Sequence, residues 1–136
     1  MATTDSLAAV ITWLAGHSGW PSGTALHGVE LPAGWQASKT VLVLTDGGSR
    51  NLDVPVIYPA FSIWCYGTTP EEAGAIAHAI CGIVHRSAVT AKTVSAKTVY
   101  VGPGEILTEP VFVREPETLW PRWIVRALIR VSENPL

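Results

Sequence analysis

The sequence predicts an α+β protein formed by a single domain, residues 1–136, in which two helices pack on a mostly antiparallel sheet of about four to five strands. The alternative is a mixed sheet with both parallel and antiparallel strand pairs. Three stretches support this class. Residues 54–66 form an apolar run without clear alternation, which is typical of a central strand covered on both faces. Residues 70–86 follow as a capped helix, and residues 123–131 alternate as a half-buried strand does.

The composition predicts a protein that associates with others. Charged residues make up 15% of the chain, against about one quarter in an average domain, and there are six tryptophans. We therefore expect another protein to hide part of the surface. The net charge of −2 excludes a globally basic nucleic-acid binder. Because a run of about 18 apolar residues and a signal peptide are both missing, we expect a soluble protein made in the cytoplasm, with no membrane partner.

The first predicted helix spans residues 3–16. Apolar residues from Leu7 to Leu14 recur at the spacing of one helix face. Asp5 is the expected N-cap, and Gly16 is expected to end the helix.

Residues 17–39 are rich in Gly, Pro and Ser and contain Trp20 and Trp35 without sustained periodicity. They predict a long loop with room for one short strand. Loops of this length are often functional or ordered by a partner, so the two tryptophans are candidate interface residues. The ends of the chain, about residues 1–4 and 132–136, are expected to be flexible.

Residues 40–45 are a β-branched run that predicts the first strand of an antiparallel hairpin. The DGGS sequence at 46–49 is expected to form its turn. Two prolines interrupt the second strand, residues 54–66. Because proline cannot donate to a strand ladder, we expect Pro55 at the start of this strand and a bulge or one-sided pairing at Pro59.

The helix after this strand carries two start signals. Thr69 is the expected N-cap, with Glu72 three residues later as its capping-box partner, and Pro70 occupies the first helical position. One side of the helix has small residues where Lys and Glu are usual, which indicates cover either by the rest of the fold or by a subunit or partner. These candidate interface residues are Gly74, Ala75, Ala79 and Gly82.

Residues 88–100 contain AKTV twice and alternate weakly, which predicts an edge strand or a loop. The Gly-Pro-Gly sequence at 102–104 is expected to end this segment. Residues 106–115 then predict another short strand, interrupted by Pro110.

The strand at 123–131 presents a row of arginines opposite its apolar face: Arg122, Arg126 and Arg130. Three guanidinium groups in a row can bind carboxylates or phosphates of a neighbouring subunit. Two other readings stay open: a solvated face whose arginine stems cover apolar neighbours, and contact with DNA.

His78, Cys81 and His85 fall at i, i+3 and i+7 and share one side of the helix. They are at most an incomplete soft-metal site, and the alternative is a buried thiol with two histidines at the helix margin. We expect Cys65 and Cys81 to be reduced, buried thiols without a structural disulfide. Since no nucleophile elbow or other catalytic constellation occurs, we expect no enzymatic activity, no catalytic residue, no metal and no cofactor.

The order of these elements resembles a known family. An N-terminal helix, a variable loop and a VLVL strand precede the sequence WCYGTTPEEAGAIAHAI, and a GPG loop precedes the closing strand WPRWIVRALIRV. In these features the chain resembles the tail terminator, or tail completion, proteins of long-tailed (siphovirus-like) bacteriophages. The resemblance covers roughly residues 42–131.

The resemblance implies a structural virion protein at the tail–neck junction. Its subunits would form a hexameric ring on the major tail tube protein, end tube growth and join the head-side connector or stopper, with DNA passing through without sequence-specific binding. The loop at 17–39 and the AKTV segment depart from the family pattern and leave the ring contacts open. The alternatives are a head–tail connector or stopper protein and a small metal-binding or hydrolytic domain using His78, Cys81 and His85.

Overall fold

The computed structural model of the protein describes residues 6–36, 38–50, 56–94, 96–113 and 121–132. Within these ranges the chain forms two helices and six strands. In chain order they are α1 (Ser6–Ala15), β1 (Ala25–Gly28), β2 (Thr40–Arg50), β3 (Val56–Tyr66), α2 (Pro70–Arg86), β4 (Thr90–Val94), β5 (Lys97–Val113) and β6 (Arg122–Ser132).

The strands form one sheet in the order β1-β2-β3-β6-β5-β4. β1 pairs with β2 in parallel, and every other neighbouring pair is antiparallel. The predicted α+β class with two helices is confirmed, and so is the central position of β3. The sheet has six strands, more than the four to five expected. The additional strand, β1, lies in the 17–39 segment, where the sequence has room for a short strand but shows no strand periodicity. Because β1 is parallel to β2, the sheet is mixed.

β2 and β3 pair as predicted, but the expected turn at 46–49 is wrong. β2 continues to Arg50, and its register with β3 shifts between Thr45 and Gly48. Gly47 allows this bulge because its φ is +84°, a value that glycine adopts readily. The bulge lies beside Pro59, which pairs with Gly48. This confirms the bulge predicted near Pro59 from the lack of a backbone N–H in proline. Pro55 lies outside the described residues.

The two AKTV copies form the arms of the hairpin between β4 and β5, in which Thr93 pairs with Thr98 and Val94 with Lys97. β4 is an edge strand, which confirms the first of the two alternatives, an edge strand or a loop, predicted for residues 88–100. The expected break at 102–104 is wrong, since β5 runs through it and through Pro110 with shifts in register. Gly104 lies so close to β6 that a Cβ there would come within 2.6 Å of the Leu128 carbonyl oxygen.

α1 and α2 cover the same face of the sheet, because side chains from both join one buried cluster with alternate residues of the strands. α1 contributes Val10, Trp13 and Leu14 to this cluster. The predicted cap of α1, Asp5, lies outside the described residues. The following strand approaches α1 closely, and a Cβ at Gly28 would come within 2.6 Å of Ile11.

The prediction that β3 is covered on both faces is confirmed only in part: on the face away from the helices Ala60 and Tyr66 are buried, but Tyr58 is exposed. Phe61, Ile63 and Cys65 are fully buried under the helices. Ser62 and Trp64, which point the other way, are half-buried, and the Trp64 indole N–H donates to the Ser62 hydroxyl at 2.9 Å. The run lacks alternation partly because Trp64, an aromatic residue, occupies a half-buried position. Hydrophobicity alone does not distinguish such a position from a fully buried one.

β6 shows the predicted alternation from Ile124 to Val131, while Trp123 on the helix side is half-buried. Val125, Ala127, Ile129 and Val131 are buried on the helix side. The strand also extends to Ser132, which is buried, whereas residues 133–136 and 1–5 lie outside the described part of the chain.

Candidate interaction surface

The start of α2 fixes where the helix lies on the sheet. Thr69 is the N-cap, and its hydroxyl accepts the Glu72 backbone N–H at 3.1 Å. Pro70 is the first helical residue, as predicted. The Glu72 carboxylate accepts from the backbone N–H of Thr68 at 3.0 Å, so the returning bond of the expected capping box comes one residue earlier than the N-cap.

The outward side of α2 carries no Asp, Glu, Lys or Arg between residues 73 and 84. Three of the four predicted interface residues lie there: Ala75 is exposed, and Ala79 and Gly82 are half-buried. A Cβ at Gly82 would meet nothing within 4 Å. We call Ala75, Ala79 and Gly82 the neutral side of α2. An outward helix surface usually carries charged residues, and their absence makes this side a candidate contact surface.

Gly74, the fourth small residue, faces the sheet of its own chain. It is buried, and a Cβ there would come within 3.0 Å of the Trp123 ring. The Trp123 indole N–H donates to the Pro70 carbonyl at 2.9 Å, which holds the ring under the first turn of α2. A glycine at this position therefore allows the close packing of helix and strand.

The predicted His78, Cys81 and His85 set lies on the flank of α2. The His78 ring lies 6.1 Å from the Trp123 ring, and both histidines are exposed. Burial, with a smaller effect of the Glu109 carboxylate, raises the pKa of Cys81 to about 11. No group of three or more His, Cys, Asp or Glu side chains in the described ranges is arranged to hold a metal ion.

Both cysteines are free thiols, as predicted, but Cys81 is half-buried and not fully buried. Cys65 is buried in the core cluster. Burial, with a smaller effect of Cys81, raises the pKa of Cys65 far above the usual thiol range. A thiol with a raised pKa is a poor nucleophile and a poor ligand near neutral pH.

The predicted arginine row lies on the sheet face away from the helices, and two of its members contact their own chain. The Arg122 guanidinium lies 4.2 Å from the centre of the Trp64 ring, a cation–π contact. Arg126 forms an ion pair with Asp46, with 2.6 Å between Nε and Oδ2. Arg130 is half-buried. The sequence shows the row but not these contacts, because Asp46 and Trp64 are distant in the chain.

Both loop tryptophans make contacts within the chain. Trp20 packs against the core cluster, and its indole N–H donates to the Thr24 carbonyl at 3.0 Å. The Trp35 ring meets Tyr66 edge to face at 5.0 Å, and its N–H donates to the Thr40 hydroxyl at 3.1 Å. Trp20 therefore attaches the loop to the core cluster, and Trp35 attaches it to Tyr66 of β3 and Thr40 of β2.

A histidine–serine pair that the sequence analysis missed joins the C-terminal ends of the two helices. His17 Nε2 lies 2.7 Å from the Ser87 hydroxyl, and His17 Nδ1 accepts the Gly19 backbone N–H. Nδ1 therefore has no proton, Nε2 is the donor, and the Ser87 hydroxyl donates to the Ile83 carbonyl. A general base needs a free acceptor facing the serine, so this arrangement joins the helices and does not activate a nucleophile.

The sequence analysis also missed large apolar side chains that lie exposed at the two ends of the sheet. Val29, which follows β1, is 67% exposed, and Leu107 and Val111 in β5 are 42% and 50% exposed. Hydrophobicity patterns gave no signal for them, because exposure depends on which strands are neighbours and on how far each neighbour extends.

In comparisons with known proteins, the sequence matches no family model and no curated protein. No helix among the described residues combines the length and the apolar character that crossing a membrane requires.

Proposed function

We propose that the chain is a structural virion protein, the tail terminator subunit of a long-tailed bacteriophage. Its copies form a hexameric ring that caps the tail tube and presents a surface to the head-side connector. The ring is placed at the tail–neck junction, and DNA passes through it. The chain has no catalytic role in this proposal.

The observation that carries the proposal is the neutral side of α2. Ala75, Ala79 and Gly82 present small, uncharged residues, with the exposed His78 beside them, on a helix whose charged residues are confined to its two ends. Such a surface is suited to close approach by another protein surface, since small side chains allow backbones to come near each other. Exposed valine and leucine side chains at both ends of the sheet support contact with further copies.

The sheet face away from the helices is also suited to contact with another subunit. Trp64, Ile124 and Leu128 lie half-buried on it. Arg122 contacts Trp64 and Arg126 contacts Asp46, and these contacts orient both guanidinium groups on this face. Arginines that are oriented in advance lose less conformational freedom on binding a partner's carboxylates.

The test adds a bulky charge to the neutral side. Ala75→Arg should leave the fold intact, because Ala75 is exposed, and should prevent ring formation and binding to tube ends. Ala79→Arg should do the same with a larger cost in stability, because Ala79 is half-buried. The measurements are sedimentation velocity and negative-stain microscopy of the protein with and without purified tail tubes.

The matched control is Ala15→Arg, which adds the same charge to an exposed alanine at the end of α1. It should assemble like the wild type. A wild-type chain that stays monomeric and ignores tube ends would contradict the terminator role. Binding to the connector without binding to tubes would instead favour the head–tail connector or stopper function. Stoichiometric zinc retained through purification would favour the domain built on His78, Cys81 and His85.

A further inference from the structure

The outward side of α2 carries one available charge of each sign, at opposite ends of the helix. Glu71 lies in the first turn and Arg86 is the last helical residue, and both side chains are exposed. Neither forms an ion pair with any residue that the structure describes. Glu72, the other acid of the first turn, is occupied, because its carboxylate accepts the Thr68 backbone N–H at 3.0 Å. α2 therefore offers one carboxylate and one guanidinium group to another molecule.

The outward residues between these charges lie in two ridges, since residues four apart in a helix form a row on its surface. The first ridge consists of Glu71, Ala75 and Ala79, and the second of His78, Gly82 and Arg86. Along the chain the first ridge is acidic, small and small, and the second is aromatic, small and basic. Each ridge thus has its charge at one end only.

The two ridges are complementary when a second copy of α2 lies antiparallel across the first. Three pairs then face each other, and each pair is centred between residues 78 and 79, so one two-fold axis serves them all. The pairs are Glu71 with Arg86, Ala75 with Gly82, and Ala79 with His78. A contact related by a two-fold axis needs a surface that complements itself in this way.

Charge favours the antiparallel direction over the parallel one. Antiparallel helices form two contacts between Glu71 and Arg86, one at each end, whereas parallel helices would bring like charges together. The antiparallel pair also places the positive N-terminal end of each helix dipole beside the negative C-terminal end of the other. At the centre Ala75 is exposed, and a Cβ at Gly82 would meet nothing within 4 Å, so the helix axes can approach closely.

We propose that two copies of the chain pair in solution through antiparallel α2 helices, with Glu71 of each copy facing Arg86 of the other. Each copy contributes one helix, so the interface is small and the dimer separates readily. The pairing covers the neutral side of α2, which the proposed ring also uses. The dimer is therefore a storage form that separates before its copies enter the ring. This consequence rests on the proposed function, whereas the pairing itself does not.

The test reverses the two charges separately and together in the full chain. Glu71→Arg places only guanidinium groups at the two ends of the dimer, and Arg86→Glu places only carboxylates there. Each variant alone should self-associate about tenfold more weakly than the wild type in sedimentation velocity over a concentration series. Mixed in equal amounts, they should form a heterodimer of about wild-type affinity, because every guanidinium group then faces a carboxylate. The double variant E71R/R86E should form homodimers again for the same reason.

The mixture and the double variant contain the same reversals as the single variants, so their recovery separates the pairing from any loss of helix stability. Glu30→Arg is the matched control, because it reverses an exposed glutamate outside α2 and should associate like the wild type. Circular dichroism melting checks that every variant is folded. Should a reversal unfold the chain, Glu71→Gln and Arg86→Gln remove the attraction without adding repulsion, and each should weaken self-association about threefold.

Three results would overturn the pairing: a wild type that is monomeric over the whole concentration series, single reversals that associate as tightly as the wild type, or a mixture that associates no more tightly than either variant alone. Unchanged association in both reversals, with loss in Ala75→Arg, would mean that the neutral side meets a different surface of the next copy.

Tail tubes distinguish the failure of the pairing from the failure of the terminator role. Added tubes should convert wild-type dimers into rings at the tube ends, with loss of the dimer boundary in sedimentation velocity. Dimers that recover in the mixture of reversals but ignore tube ends retain the pairing and remove the terminator role. Rings at tube ends from a chain that never dimerises retain the terminator role and remove the pairing.

Discussion

The two faces of the sheet use neighbouring residues of the same strands for different purposes. On the helix side of β6, Val125, Ala127 and Ile129 are fully buried. On the other side Ile124, Leu128 and Arg130 are half-buried and Arg126 is exposed. The helix side determines the fold through burial. The open side tolerates polar and aromatic residues and can take part in contacts with other molecules, so substitutions on the two faces should differ in kind.

The largest expected effect compares two isoleucines of β6. Ile129→Ala removes a fully buried side chain and leaves a cavity under the helices, so it should lower the free energy of unfolding by about 2–5 kcal/mol. Ile124→Ala makes the same chemical change on the open face, where the side chain is half-buried, and should cost about 1 kcal/mol. Urea unfolding measures both. Equal losses would mean that the open face is covered as well.

The next comparison uses two glycines of α2. Gly74→Leu must displace the Trp123 ring and should destabilise the protein by about 1–3 kcal/mol. Gly82→Ala adds a methyl group to open space and should stabilise the helix by about 0.5–1 kcal/mol. Thermal melting of the monomeric protein gives the two signs. A neutral result for Gly74→Leu would show that the ring can move without cost.

The sequence predicted the covered side of the molecule well, because periodic burial and helix capping are local. The alternation of β6, the start of α2 at Thr69 and Pro70, and the pairing of β2 with β3 all follow from residues close together in the chain. Turn residues misled the prediction at 46–49 and 102–104. A glycine or proline also fits a bulge inside a long strand, and only the partner strand decides between the two.

Contacts between distant parts of the chain could not be predicted in the same way, on either side of the sheet, since they depend on residues far apart in the sequence. Arg126 pairs with Asp46, and His17 with Ser87, across long separations. Among the described residues β4 pairs only with Lys97–Val101 of β5, and this follows from strand order and strand length, which no local pattern encodes. Of the small residues on α2, Gly74 differs from its neighbours only because Trp123 comes to lie beneath it.

The two thiols extend the comparison to pH. Burial and Glu109 raise the pKa of Cys81 from 9.0 to about 11, so the folded protein retains a proton that the unfolded chain has lost over this interval. The stability from this group is fully present below pH 9.0 and is lost as the pH rises to about 11.

Alkylation of Cys81 should be slow at about pH 8. Glu109→Gln should accelerate it, and Cys65 should react only on unfolding; an unchanged rate in Glu109→Gln would contradict the effect of the carboxylate.

The smallest expected effect is that of the ion pair on the open face. Arg126 and Asp46 are 44% and 41% exposed, so water screens their attraction despite the 2.6 Å contact. A double-mutant cycle with Arg126→Ala and Asp46→Ala should give a coupling of about 0.2–1 kcal/mol that declines with added salt. A larger coupling that does not respond to salt would mean that the pair is shielded from water. If the coupling is small, Arg126 can leave Asp46 at little cost, and its guanidinium then becomes available to a carboxylate of a neighbouring copy.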